Sequence, residues 1–463
     1  MPIVRPDLSL RAALVAALVL AFPACTGHTE DALPPPPSGT SYAAAPDVVS
    51  GVQQALQRRA RAVLAGDGAA FERGIRGTAE FREQQRTWLA NLRQLPVGEL
   101  SYTVDPAALV RDGDDYWVVV EEHLLLSGYD AVPVVTRDRY RFRPGTRRPD
   151  RMVLTSVTDP AWEQTHEVHP QPWDLGRVVV RSGSGVLGVF DEGSLPASGP
   201  LLRSVERGID AVAAEVPYDW SRSVVVYALS DPAYLRVIDD VPGGDPDVLD
   251  GVAFPVPASP GEETLAATRF ALHPRMLERA GVARDRLVRH ELTHVALGSR
   301  DDHAPVWLSE GLAEYVSAQA MDPAERRVPE RAVRAAEAGF DALPDDGSFS
   351  GEGTATSYAL AWWACEYLAR TFDESVLWSL LDEVGSGEVD PDRLLLDWLE
   401  IRPARLARRA GELIVAEYGE PVPPPVPPTP TVPVPTAPST DPGTDPSMVP
   451  TQTPPAPEIS PAG

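Results

Sequence analysis

Two histidines and a glutamate in the second half of this 463-residue chain have the types and spacing of a metal site. His290 and His294 lie in DRLVRHELTHVALG, a segment whose apolar residues recur at helical spacing. Four residues advance a helix by about 6 Å and return to the same face, so both imidazoles could bind one ion. Glu291 lies about 100° around that helix, where a base could serve a metal-bound water. We predict two zinc ligands and a general base here.

A second predicted helix, VWLSEGLAEYVSAQAM, supplies a third ligand after the short loop GSRDDHAP. A catalytic zinc ion needs three protein ligands and one open position, and Glu310 is the natural third ligand. Three residues of the loop, Asp301, Asp302 and His303, are rival ligands. The simplest alternative, two surface histidines beside an incidental glutamate, is weakened by this second segment.

Together, HELTH and WLSEGLAEY resemble the HExxH and NEGFA segments of gluzincin peptidases, and most of all those of the peptidase MA-like domains in bacterial exported proteins. The resemblance covers residues 173–419. It implies a thermolysin-like α+β fold and a peptide or protein substrate. It also implies that zinc is bound by His290, His294 and Glu310, and that Glu291 is the general base.

The same resemblance suggests two supporting residues. Glu314, one turn after Glu310, matches the acidic position that orients a ligating histidine in thermolysin-like gluzincins. TSYALAWWACEYL resembles the gluzincin helix that contributes a catalytic tyrosine, which makes Tyr358 the candidate oxyanion stabiliser. Tyr367, nine residues later, is expected to pack in the core. The alternatives are a solvated carboxylate for Glu314 and core packing for Tyr358.

The residues that precede the HELTH helix narrow the expected class of substrate. The strand TRFALH, residues 268–273, could pair its edge with an extended peptide, as in gluzincins. Gluzincin aminopeptidases carry a segment whose glutamate binds the substrate amino terminus, and nothing like it occurs between Gly251 and Arg284. This difference favours an endopeptidase.

Strands that lead into helices must position these residues. RVVVRSGSGVLGVF predicts a strand pair, LLRSVERGIDAVAAEV a helix and SVVVYAL another strand, with mostly helix from the HELTH segment to Tyr418. This order predicts an α+β unit with its chemistry where strands and helices meet.

A separate accessory unit is predicted over residues 46–170. A helix capped by Asp47 and the helical stretch FREQQRTWLANLRQL precede four strands, LSYTV, YWVVVEEHLLL, VPVVTRDRYRF and RMVLTSV. This order resembles the cone-shaped fold of the nuclear transport factor two superfamily. The unit's histidines, His123, His166 and His169, lack a surrounding set of acidic partners, so we expect a packing or positioning domain.

We expect both ends of the chain to lie outside the two folded units. Residues 1–25 have the basic and apolar regions of a signal peptide, and the apolar run is too short to span a bilayer. Cys25 lies in a segment that resembles a bacterial lipobox, so the protein is expected to be lipid-anchored on the outer face of the membrane, or secreted. Residues 26–45 predict a flexible linker and residues 420–463 a proline-rich disordered tail.

Charge and cysteine content exclude some alternatives. The formal net charge of −26 argues against nucleic acid as a partner. Cys365 has no partner in the mature chain and is expected to be a small buried hydrophobe. We therefore predict an exported zinc metallopeptidase; the alternative is a cell-envelope adaptor lipoprotein with a non-catalytic peptidase-like domain.

Overall fold

The computed structural model describes residues 46–166, 168–237 and 249–419, and its fold is α+β, as the sequence predicts. It contains two five-stranded sheets with helices packed against them. Within those ranges, none of the helices is long and apolar enough to cross a bilayer. The predicted signal peptide with Cys25, the linker 26–45 and the tail 420–463 lie outside the described residues.

The N-terminal unit, residues 46–156, contains three helices followed by an antiparallel sheet. The helices are α1 (Pro46–Leu64), α2 (Gly68–Glu72) and α3 (Ala79–Leu92), and the strands are β1 (Val97–Val104), β2 (Val110–Asp112), β3 (Asp115–Leu126), β4 (Val134–Pro144) and β5 (Met152–Ser156). The sheet order is β1-β3-β4-β5, with β2 paired to β3. The predicted helix begins at Pro46, so Asp47 lies in its first turn and does not cap it. The assignment of this unit to a superfamily stays a prediction.

The C-terminal unit, residues 179–418, begins with a mixed sheet. Its strands are β6 (Val179–Gly183), β7 (Val186–Phe190), β8 (Val224–Ala228), β9 (Gly251–Pro257) and β10 (Leu265–Leu272). Their order is β6-β7-β8-β10-β9. β8 is parallel to both β7 and β10, whereas the outer pairs β6–β7 and β9–β10 are antiparallel. The strand pair and the SVVVYAL strand are therefore where the sequence predicts them.

The strand that was predicted to offer an edge to a peptide is not an edge strand of this sheet. β10, which contains the TRFAL segment, lies between β8 and β9, so its edges are already paired and it cannot take a peptide. His273 lies beyond the strand and caps the next helix. Among the described residues, the outer strand on this side of the sheet is β9, which was not predicted because Pro255 and Pro257 interrupt the strand pattern.

Helices form the rest of the molecule. Helix α6 (Ser198–Glu215) connects β7 to β8, and two short helices join the units: α4 (Pro160–Glu163) and α5 (Pro172–Leu175). The remaining helices are α7 (Pro274–Glu278), α8 (Val282–Leu297), α9 (Val306–Gln319), α10 (Glu330–Ala338), α11 (Thr354–Phe372), α12 (Ser375–Val384), α13 (Pro391–Leu399) and α14 (Pro403–Tyr418). Short 3-10 helices span Pro106–Ala108, Leu195–Ala197, Pro232–Val237, Gly298–Asp301, Pro323–Glu325 and Asp346–Phe349.

Helices α8 and α9 carry the HELTH and WLSEGLAEY segments and lie in the centre of the C-terminal unit. α8 packs between α6 and α9, and α9 packs against α11. Val288 and Leu292, four residues apart on α8, are fully buried in the same apolar cluster as the strands. A side chain at Gly311 of α9 would collide with the backbone of Ala361 and with Cys365 on α11. Glycine at this position therefore lets α9 approach α11 closely, and Cys365 is buried as predicted.

The sheet of the C-terminal unit is covered on both faces. Alternate strand residues such as Val186 and Val226 pack with α6, α8 and α9 in one apolar cluster. Their neighbours Leu187 and Val225 pack in a second cluster, which contains the buried side chains of the N-terminal unit. Because side chains alternate between the faces of a strand, the sheet is shared by two cores. The predicted division of the chain at residues 170–173 stays a prediction, and apolar packing continues across it.

Two consecutive glutamates of β3 have opposite environments. Glu121 is partly exposed and pairs with Arg137, whose hydrogen bond holds the pKa of Glu121 below its usual range. Glu122 is only 8% exposed and accepts a hydrogen bond from the Tyr140 hydroxyl. Burial, and after it the nearby Asp174 carboxylate, raise the pKa of Glu122 from 4.5 to about 7. Ionised Glu122 therefore opposes folding at neutral pH.

We expect Glu122→Gln to stabilise the protein at pH 8 and to change little at pH 4. Below pH 4.5 the carboxyl group is neutral in both folded and unfolded states. Between pH 4.5 and pH 7 the carboxyl group ionises in the unfolded state but keeps its proton in the folded state, where the pKa is raised. The wild-type protein thereby loses on the order of 2 to 3 kcal/mol of unfolding free energy relative to the variant.

Urea unfolding at both pH values measures this difference. Glu121→Gln is the matched control, because its pKa is shifted in the opposite direction and it should not stabilise the protein at pH 8. An equal effect of Glu122→Gln at pH 4 and pH 8 would contradict the assignment of a raised pKa.

Candidate active site

Helices α8 and α9 bring the three predicted metal ligands together. His290 Nε2 lies 3.2 Å from Glu310 Oε2, and His294 Nε2 lies 3.6 Å from the same oxygen. All three ligand atoms lie within 4.8 Å of one another. Among the described residues, this is the one group of three or more histidine, cysteine or carboxylate side chains placed closely enough to share an ion.

The donor set fits a divalent cation such as zinc. Two imidazole nitrogens and one carboxylate oxygen are the ligands of many catalytic zinc sites. Glu310 Oε2 is buried and has no hydrogen bond of acceptable geometry, although both imidazoles face it. A buried acceptor without a donor is costly, and a cation between the three groups would satisfy it.

The charges of the three side chains stabilise one another. Burial alone would lower the pKa of His290, but the Glu310 and Glu314 carboxylates raise it to about 9. Burial alone would raise the pKa of Glu310, but the His290 and His294 imidazoles move it far below its usual range. A cation must therefore displace protons from the imidazoles when it binds.

A carboxylate stands behind His290, as the sequence predicts. Glu314 Oε1 lies 3.2 Å from His290 Nδ1, on the side of the ring that faces away from Glu310. The other oxygen of Glu314 contacts Arg286, which stacks on the ring of Trp362. Although burial would raise the pKa of Glu314, Arg286 and His290 hold it below its usual range. His290 Nδ1 makes no hydrogen bond of acceptable geometry, so Glu314 pairs with the ring by charge and lies where it could fix the orientation of that ring.

A second carboxylate, that of Asp301, lies beside His294. The sequence predicted Asp301 only as a rival metal ligand. Asp301 Oδ2 lies 3.1 Å from His294 Nδ1 and accepts a hydrogen bond of 2.6 Å from the Ser309 hydroxyl. Asp301 is thus on the Nδ1 side of the ring and not in the three-ligand cluster. The other two rival ligands, Asp302 and His303, are exposed and outside the cluster.

Asp301 and Ser309 form a contact that sequence reasoning missed. Ser309 directly precedes Glu310 on α9, so this hydrogen bond ties the 3-10 turn that follows the histidine helix to the first turn of the glutamate helix. The only sequence signal is an acidic residue seven positions after His294. That signal could not distinguish a ligand from a residue that orients one.

Glu291 lies beside the three ligands and faces the cleft. It is only 4% exposed, and burial raises its pKa despite the nearby imidazoles of His290 and His294. The backbone N–H of Ala253 on β9 interacts with its carboxylate. A side chain at Gly251 would come within 3.1 Å of Glu291 Oε1, so the edge strand passes close to the predicted base.

Tyr358 on α11 completes the polar wall of the site. Its ring centroid lies 5.9 Å from that of His290 and 5.2 Å from that of Phe349. Burial and the Glu310 carboxylate raise the pKa of Tyr358 well above its usual range. Tyr358 therefore keeps its hydroxyl proton and can act as a hydrogen-bond donor in the cleft.

These residues line an open cleft of about 540 Å³. The lining comes from helices α8 and α9, from the segment around Phe349, and from strands β9 and β10, which form the strand wall. The strand wall is made of uncharged residues: Gly251, Val252, Ala253, Phe254, Pro255, Leu265 and Thr268. The cleft is large enough for several residues of an extended peptide.

Comparisons with known proteins assign neither a family nor a function to the chain. No known family model matches the chain, and no curated protein sequence matches it. The resemblances to gluzincin peptidases and to the nuclear transport factor two superfamily therefore remain predictions from the sequence.

We expect Asp301→Asn to weaken zinc binding by about tenfold or more, because loss of the carboxylate behind a ligating histidine removes both orientation and basicity. Competition between the metal-free protein and a fluorescent zinc chelator measures the affinity.

Asp302→Asn is the matched control, since Asp302 is the exposed neighbour of Asp301 and lies outside the ligand cluster. Equal zinc affinities of the wild-type protein and the correctly folded Asp301→Asn variant would show that Asp301 does not support His294.

Proposed function

We propose that the protein is a zinc-dependent peptidase in which His290, His294 and Glu310 bind the metal and Glu291 is the general base. The observation that carries this proposal is the convergence of three donors from α8 and α9 on one point. The buried Glu291 carboxylate lies beside them and faces the same open cleft. A site with no hydrolytic role would have no use for a base in this position.

The chemistry follows from these side chains. Zinc, when bound, supplies a Lewis acid that polarises a carbonyl group and lowers the pKa of water. Glu291 would accept a proton from the attacking water and pass it to the leaving amine, a transfer that its raised pKa assists. The Tyr358 hydroxyl would donate a hydrogen bond to the negative charge that develops on the carbonyl oxygen.

The strand wall supports a substrate that is an extended peptide. Among the described residues β9 has a strand neighbour on one side only, and its residues Gly251 to Pro255 line the cleft. An extended peptide could pair with the outer edge of β9. The residues of β9 and β10 that line the cleft include no carboxylate to bind a substrate amino terminus. This composition favours internal peptide bonds over N-terminal ones.

The location of the protein is part of the proposal. The signal-like residues 1–25, with Cys25 at a lipobox-like position, favour an exported protein that is lipid-anchored on the outer face of the membrane or secreted. The net charge of −26 favours a protein or peptide substrate and disfavours nucleic acid.

We expect Glu291→Gln to lower the hydrolysis of fluorescein-labelled casein by about a thousandfold, because the general base is lost while the three ligands remain. The variant should still bind one zinc ion per chain, as measured by elemental analysis. Glu337→Gln, an exposed glutamate of α10, is the control and should be fully active.

Two outcomes would contradict the proposal. Cleavage that persists in the presence of a tight zinc chelator would exclude a zinc mechanism. A wild-type protein that binds zinc but cleaves neither casein nor a peptide library would favour the alternative of a cell-envelope adaptor.

We expect Tyr358→Phe to lower kcat by about a hundredfold with little change in KM, because its hydrogen bond is made mainly to charge that develops in the transition state. Tyr367→Phe, nine residues later on the same helix, is the matched control and should keep the wild-type kcat. An unchanged kcat in Tyr358→Phe would leave Tyr358 with a packing role only.

A further inference from the structure

The strand wall of the cleft is packed against the N-terminal unit. Val252, Phe254 and Val256 of β9 lie in the apolar cluster that contains the buried side chains of that unit. Their neighbour Ala253 faces the opposite side and packs in the cluster of the helices. β9 is an edge strand and has a strand neighbour on one side only among the described residues. Its position therefore depends on β10, on helix α8 and on the N-terminal unit behind it.

A buried ion pair joins β10 to the N-terminal unit. Arg269 on β10 and Asp130, in the turn between β3 and β4, are both only 1% exposed and lie 2.8 Å apart. The guanidinium also donates to the Tyr227 hydroxyl at 2.7 Å and to Gln171 Oε1 at 2.9 Å. The second oxygen of Asp130 accepts the Leu126 N–H. Both charges are thus paired and hydrogen-bonded through the two terminal nitrogens of Arg269, while its buried Nε has no hydrogen-bond partner among the described residues.

Two backbone hydrogen bonds hold the same hairpin. The Ala131 N–H donates to the carbonyl oxygen of Ala266, at the start of β10. The Val135 N–H donates to the carbonyl oxygen of Ala258, directly after the end of β9. Both bonds measure 2.8 Å. The turn after β3 and the start of β4 therefore hold the β9–β10 hairpin at its tip, while Arg269 holds it along its length.

We propose that Arg269 and Asp130 are positioning residues, through which the N-terminal unit sets the distance between strand β9 and the base Glu291. This inference rests on the proposed peptidase function. The Ala253 N–H and Gly251 lie against the Glu291 carboxylate, so a shift of the hairpin changes both the base and the edge that would pair with a peptide. The metal ligands are on α8 and α9, whereas the hydrogen bonds of the ion pair go to Tyr227, Gln171 and Leu126.

The tests are Asp130→Asn and the double substitution of Asp130→Asn with Arg269→Met. The single variant leaves the guanidinium buried without its counter-charge. The double variant removes both charges and keeps an acceptor for the Leu126 N–H, and removal of a whole buried pair is often tolerated. The double variant therefore serves where the single one fails to fold.

Three measurements separate positioning from simple structural support. We expect KM for fluorescein-labelled casein to rise by about tenfold, because misalignment of the strand weakens the productive pose. Zinc affinity, measured by chelator competition, should stay at the wild-type value. Hydrogen–deuterium exchange should become faster in the peptide that spans Gly251–Pro257 and stay unchanged in α8 and α9.

Ile414→Val, a core substitution in α14, is the control for general destabilisation and should change neither KM nor exchange in β9. Unchanged KM and unchanged β9 exchange in a folded double variant would overturn the inference. A wild-type protein that does not cleave casein would overturn the proposed function instead. In that case hydrogen–deuterium exchange in β9, together with the zinc affinity, would still decide whether the ion pair positions the hairpin.

Discussion

Two imidazoles and a carboxylate can share one cation only if α8 and α9 keep their ligand-bearing faces a few ångströms apart. The sequence meets this requirement with packing and not with covalent cross-links. Leu292, between the two histidines, is buried in the core of the C-terminal unit, and Gly311, next to Glu310, lets α9 lie directly on α11. The residues that alternate with the ligands are thus the ones that fix the geometry of the site.

The polar groups around the site form a second requirement. Ligands that are buried need partners that are themselves held, since an unpaired charge in a protein interior is costly. Glu314 is backed by Arg286 and Asp301 by Ser309, so the carboxylate beside each histidine has its own partner. The hydrogen bond between Asp301 and Ser309 also joins the 3-10 turn after α8 to the first turn of α9. Orientation of the rings and spacing of the helices are therefore coupled.

Local patterns in the sequence predicted the helices, most strands and the placement of the ligands, because the i and i+4 spacing of His290 and His294 fixes their relation within one helix. Features set by tertiary packing were not readable. Strand β9 was missed because of its prolines, and Asp301 was grouped with possible ligands because spacing does not show which side of a ring a carboxylate approaches. The segment SVVVYAL predicted a strand but not which elements cover each of its faces.

The prolines of β9 also bear on self-association. An open strand edge is a template onto which another copy of the chain could add a strand and start a growing sheet. Pro255 lies two residues from Ala253, on the same exposed edge, and has no N–H to donate. An incoming strand would find a gap in its ladder there, which limits the length that can pair. The cleft can thus stay open to a short peptide while the folded protein resists polymerisation through that edge.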